Sequence, residues 1–254
     1  MDVTANSADL KERLHPIEVF VSELERSLPK PNFDREQLGY RYESPEVTHF
    51  CLLKLARAVS ALNACIELYR AGYIQEVCVL IRTIIECTTH IDFVIAGRQS
   101  STGSQRADRY LSDYFADIHR GDSARKTVHV RQENVHKDVA RALDEALDGI
   151  PEASHYTDVD TLELLSTVYR TYSNYVHARY PEVMEMYGGS RQSFHTQGML
   201  GTPKDQECYQ IIRSYSDTIS NSARSMIVYL DIGELVRSNS LLVDWFATFA
   251  LEGE

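Results

Sequence analysis

Arg170, Asn174 and His177 fall in the run Tyr169-Arg170-Thr171-Tyr172-Ser173-Asn174-Tyr175-Val176-His177. At about 100° per residue a helix projects the three within about 60° of one another, so a cation, an amide and an imidazole share one face. A histidine titrates near neutrality and can move a proton to or from a ribose hydroxyl or a leaving 5′-oxygen. An arginine can hold a phosphate and stabilise charge in the transition state. RNA cleavage that uses the substrate's own 2′-hydroxyl needs no metal and no protein nucleophile. The plainer reading is that His177 caps the negative end of its helix, where a cation gains about 0.3–1 kcal/mol.

A second polar stripe lies in an apolar stretch, where Cys78, Arg82, Glu86 and His90 recur every four residues and so line one side of a helix. Buried charges need partners. Arg82 and Glu86 can pair with each other, and Glu86 can reach an arginine of another helix. A structural ion pair that sets helix register is one reading; a group that supports the first trio is the other. Glu86 and His90 could also be two metal ligands, but metal sites in helical bundles use paired Glu-x-x-His motifs on separate helices, which the chain lacks. No metal or other cofactor is therefore expected. The chain has no GxxxxGK[ST] loop, no GxGxxG between a strand and a helix and no HExxH, so nucleotide-driven and zincin chemistry have no support.

The elements that must position these residues read as helices. A first helix is expected over Asp9 to Leu28, stopping before Pro29-Lys30-Pro31. A polar, turn-rich stretch follows to about Ser44. Ser44-Pro45 then supplies a cap and an N1 proline for a helix to Arg70, with Leu52, Leu55, Val59, Leu62 and Ile66 on its buried face. Ala71-Gly72 breaks the pattern. The next helix, Tyr73 to about Ala96 with Gly97 closing it, is apolar nearly all round and should be central. So short a connection makes the two an antiparallel hairpin. Arg106 to His119 and Ser123 to Leu147 read as two further helices. Thr157 is expected to cap a helix that carries the first trio and stops near Arg179. Gly188 to Pro203 reads as an irregular surface loop, Lys204 to Arg237 as one long helix and Ser240 to Leu251 as a tail helix. No run calls for a strand. The fold class expected is all-α: a single domain over 1–254, built as a bundle of antiparallel helix pairs, with a core at about 45–181 and a C-terminal helical extension at about 204–252.

Bulk composition agrees with a globular chain: of 254 residues, 43% are hydrophobic and 25% charged, which argues against extensive disorder. The five cysteines are odd in number and lack CxxC spacing; they read as buried thiols of a reducing compartment. Neither a signal peptide nor a membrane-length apolar run is evident, so a cytoplasmic protein without membrane association is expected. The net charge of −11 repels a phosphate backbone at long range and counts against avid nonspecific nucleic-acid binding, though a local site could still be basic. The one basic island, Arg120 to Arg141, reads most simply as a solvated helical face.

Arg170, six intervening residues and His177 near a helix C-terminus resemble the Arg-x(4–6)-His signature of the HEPN superfamily, all-helical bundles that include toxin and antiphage ribonucleases. Leu80-Ile81-Arg82-Thr83-Ile84-Ile85-Glu86 and Tyr169 to His177 are also similar to a bacterial family of helical proteins of unknown function. The resemblance spans about Val47 to Pro181; Thr171 departs from the Asn, Asp or His that often follows the arginine. It implies a site of Arg170 and His177 completed across a two-fold homodimer. Asn174 would be a supporting polar group, Glu86 would orient Arg170, RNA would be the substrate, and an antitoxin or regulatory protein a possible partner. The alternative is a nonenzymatic helical interaction or scaffold protein whose polar motif is structural.

Overall fold

A computed structural model of the chain describes residues 2–35, 38–99, 104–116, 132–147, 160–188 and 193–250. Among these the fold is all-α, with two short hairpins of paired strands as its only sheet. Helix α1 (Val3–Ser27) starts ahead of the expected Asp9 because Asp2 caps it, its carboxylate accepting from the backbone of Thr4 and Ala5. The turn-rich stretch after it contains the antiparallel pair β1 (Asn32–Asp34) and β2 (Gly39–Arg41). Three-residue strands are too short for a period-two pattern to stand out.

Helix α2 (Val47–Ala71) begins after Glu46 rather than at Pro45. Glu46 and His49 form a reciprocal cap, in which the Glu46 backbone N–H donates to His49 Nδ1 at 3.1 Å. Gly72 closes α2 in the left-handed conformation, φ 81°. Helix α3 (Ile74–Gln99) then runs back along α2 and continues through Gly97, where a stop was expected. It is the central element: α2, α4 (Ser104–Phe115), α5 (Gln132–Leu147), α6 (Thr161–Val176) and α8 (Lys204–Tyr229) all pack on it. That is why its sequence is apolar nearly all round.

The expected long C-terminal helix is broken. Leu230 ends α8, Asp231 takes a left-handed turn at φ 54°, and α9 (Gly233–Arg237) and α10 (Ser240–Ala250) follow. These helices are no appendage to a 45–181 core, since Cys208, Ile212, Ile219, Ala223, Met226 and Trp245 belong to the same buried cluster as α1, α2 and α3. All five cysteines are buried free thiols. No helix among the described residues is long and apolar enough to cross a membrane. Most of the basic island and the expected cap Thr157 lie outside the described residues. Within the described part of the island, Lys137 pairs with Glu133 and Arg141 with Asp138.

Candidate functional site

Helix α6 lies on the outside of the bundle against α3 and α5, and none of its residues is fully buried. Asp160 caps it by accepting from Glu163 N, and Thr161 Oγ1 donates to Asp144 of α5 at 2.7 Å. Its C-terminus closes with paired reverse hydrogen bonds, Ala178 N to Tyr175 O and Arg179 N to Asn174 O. This is the Schellman arrangement, with His177 as the cap residue. The left-handed position that usually takes glycine is filled by Ala178 at φ 47°, a conformation that costs an L-residue roughly 1–2 kcal/mol. The backbone is therefore held under strain immediately after His177.

Arg170 and His177 are both exposed. Arg170 Nη2 makes a long 3.4 Å bond to Thr167 Oγ1 of its own helix, and among the described residues no carboxylate pairs with it. Asn174 is half-buried and differently engaged: its amide donates to Glu182 Oε1 of α7 (Tyr180–Met184) at 3.1 Å. The expected trio thus shares a helix face, as the pitch requires, but only its cation and imidazole are open. The amide fastens α7 to α6.

Glu86 does not orient Arg170. Its carboxylate pairs with Arg82 Nη2 at 2.9 Å, one turn away on α3, and α3 packs against the inner side of α6 while Arg170 lies on the outer side. Arg82 is the arginine that meets α6. Its Nε donates to Ser173 Oγ at 2.9 Å, and its guanidinium lies 3.4 Å from the centre of the Tyr169 ring. The Arg82 side chain is only 11% exposed, against 41% for Glu86, and Nη1 is buried with no hydrogen-bond partner. His136 of α5 stands edge-on to Tyr169 with ring centres 5.1 Å apart. Burial, and then the Arg82 charge, holds its pKa below the ordinary histidine value. Tyr169, Ser173 and His177 are each four residues apart, so Arg82 grips the stripe that ends at the exposed imidazole. That spacing was visible in the sequence; that an α3 arginine would meet it was not.

The α3 stripe continues to His90, whose Nδ1 is 2.8 Å from Tyr110 Oη and 3.4 Å from Lys54 Nζ. The Lys54 ammonium also lies 4.9 Å from the Tyr114 ring centre, and burial depresses its pKa. His90 is thus engaged by α2 and α4. Among the described residues no group of three or more His, Cys, Asp or Glu is placed to hold a metal ion.

Beyond α7 the stretch expected to be an open loop is built. Tyr187–Gly188 (β3) pairs with Ser193–Phe194 (β4). The chain then packs onto the α2–α3 turn, with Met199 buried and its N–H donating to Gly72 O at 2.8 Å. Gly198, at φ 99°, approaches so closely that a Cβ would lie 2.6 Å from Ala71 O. This segment and Glu185 enclose a cleft of about 880 Å³. Glu185 accepts from Tyr175 Oη at 3.0 Å and pairs with Lys204 at 3.2 Å, which ties α6, α7 and α8 together. Burial, followed by Cys78, raises the Tyr175 pKa, so the phenol remains the donor. No sequence motif announces this cleft, because the stretch from Glu185 to Lys204 that lines it takes its shape from docking on the α2–α3 turn.

The molecule is thus an all-α bundle with an open cation and imidazole on an outer helix. No family model, no curated protein and no solved structure matches the chain.

Proposed function

We propose that the protein is a metal-independent endoribonuclease of toxin or antiphage-defence type, acting in the cytoplasm as a homodimer. His177 is the general acid/base and Arg170 the phosphate clamp. The observation that supports this most directly is access: both side chains are exposed, Arg170 in the C-terminal half of α6 and His177 at its cap, and no carboxylate among the described residues occupies Arg170. An arginine without a carboxylate partner can take a phosphate bidentately. Arg82 and Glu86 act through α6, holding its inner stripe, and Asn174 acts through α7.

In the reaction His177 accepts the proton of the 2′-hydroxyl, and the 2′-oxygen attacks phosphorus. The bond to the 5′-oxygen breaks, and that oxygen leaves with a proton from the second imidazole of the dimer. The products are a 2′,3′-cyclic phosphate and a free 5′-hydroxyl. Purified protein should cut single-stranded RNA in EDTA to such ends, and His177→Ala should slow cleavage by roughly 10²- to 10⁴-fold. Undiminished cleavage by the alanine variant removes the proposal. An antitoxin or regulatory protein that binds this face would silence it.

A second reading is a nonenzymatic interaction protein. It draws on Val176, Tyr180 and Met184, apolar side chains that stand exposed around His177. It predicts no cleavage by the wild-type protein under the same conditions.

A further inference from the structure

The cleft beside α7 has features that the acid/base pair does not use. Tyr187 and Phe194 are 45% and 48% exposed, and their rings meet edge-to-face with centres 5.1 Å apart. Large aromatic side chains at the wall of a preformed cleft offer a planar surface to a ligand at little ordering cost. Polar groups able to read the edge of a flat heterocycle, His195, Thr196 and Gln197, line the same cleft. Its floor is rigid, since Gly198 is pressed onto the α2–α3 turn and Thr202 Oγ1 donates to Met199 O at 2.7 Å. The charge of Glu185 is turned inward by Tyr175 and Lys204.

The cleft lies beyond the C-terminal end of α6, the end that carries His177. Tyr175, in the last turn of α6 but on the side of the helix away from His177, donates to the cleft-wall residue Glu185. The five residues of α7, rising roughly 7–8 Å along their axis, connect the end of α6 to that wall. Tyr180 at the start of α7, between His177 and the cleft along the chain, is 78% exposed. Exposed cations beside successive aromatic surfaces suit single-stranded nucleic acid, where the backbone meets charge and the bases stack.

We propose that this cleft is a nucleobase pocket, in which Tyr187 and Phe194 stack one base of a single strand that also reaches Arg170. The proposal rests on the ribonuclease reading for its choice of RNA, and deepens it by naming an unstacked base of a single strand as the recognised unit. A net charge of −11 makes stacking the necessary source of affinity, because long-range attraction is absent.

The test is fluorescence anisotropy with a short, single-stranded, fully 2′-O-methylated RNA, which has no free 2′-hydroxyl and cannot be cut by this route. A second arm uses adenosine and uridine monophosphates as competitors. Wild-type protein should bind the oligonucleotide. Tyr187→Ala and Phe194→Ala should each weaken binding by roughly tenfold or more, with unfolding midpoints unchanged, and Phe194→Trp should restore it. Competition by mononucleotides at concentrations similar to the oligonucleotide's Kd would make a free nucleotide the source of the base; competition only far above it would make the source RNA. No binding by wild type, or wild-type affinity in both alanine variants, overturns the pocket. Binding that depends on Phe194 without cleavage of unmodified RNA would leave the pocket standing and remove the nuclease reading; cleavage with no dependence on Tyr187 or Phe194 would do the reverse.

Discussion

Arg82 is the residue on which the placement of the candidate site turns. It has a hydrogen bond to Ser173 and the face of Tyr169, which hold α6 on α3, and an ion pair to Glu86 within α3 that orients the guanidinium. Glu86 is wet enough for water to replace part of the ion pair, whereas the Ser173 and Tyr169 contacts are enclosed. Arg82→Ala should cost about 2–3 kcal/mol, read as a lower urea midpoint. Arg82→Lys should recover little of it, because a point charge cannot donate from Nε while stacking flat on a ring. A loss under about 0.5 kcal/mol for the alanine variant, the range of ordinary surface substitutions, would show that α6 is held by other contacts.

At the scale of the element, the ends of helices and turns carry the information. Ala178 closes α6 in a conformation that suits glycine, and Gly198 approaches Ala71 where a side chain cannot fit. The two positions should answer a swap with opposite signs. Ala178→Gly should stabilise by about 0.5–1 kcal/mol through relief of left-handed strain, while Gly198→Ala should destabilise by more than 1 kcal/mol through strain and overlap together. Thermal unfolding of both variants checks the pair. The strain at Ala178 sits next to His177, so relieving it in the glycine variant should also lower activity in the cleavage assay where that strain helps to place the imidazole.

For the whole molecule the prediction concerns its core. Cys51, Cys65, Cys78, Cys87 and Cys208 are buried in α2, α3 and α8. Burial pushes the thiols of Cys51, Cys65 and Cys78 up to about 12, and those of Cys87 and Cys208 upward as well. Only the thiolate attacks a disulfide reagent, so native protein should leave all five unreacted at neutral pH over minutes, and guanidinium should expose all five together. A thiol that reacts fast in native protein would mean that its helix opens locally. The same core joins α8 and α10 to α1, α2 and α3, so a fragment ending near Pro181 should not fold alone.

Much of this architecture is legible in the sequence, because helical periodicity is a local property. The all-round apolar face of α3 marked it as central, Gly72 marked the hairpin turn, and the pitch alone placed Arg170, Asn174 and His177 on one face. Helix ends were less legible, since the Glu46–His49 cap and the Asp231 turn depend on side-chain choices with several outcomes of similar energy. The Arg82–Glu86 pair was open to the sequence as an i,i+4 contact, but the contacts of charges across helices were not. Glu86 could have met either arginine, and only the packing of α3 against the inner side of α6 selects Arg82 and leaves Arg170 in solvent. The cleft depends on tertiary structure in another way: its described lining residues other than Ala71 fall between Glu185 and Lys204, yet only the docking of that stretch on the α2–α3 turn, with Met199 N–H donating to Gly72 O, folds it into a cleft.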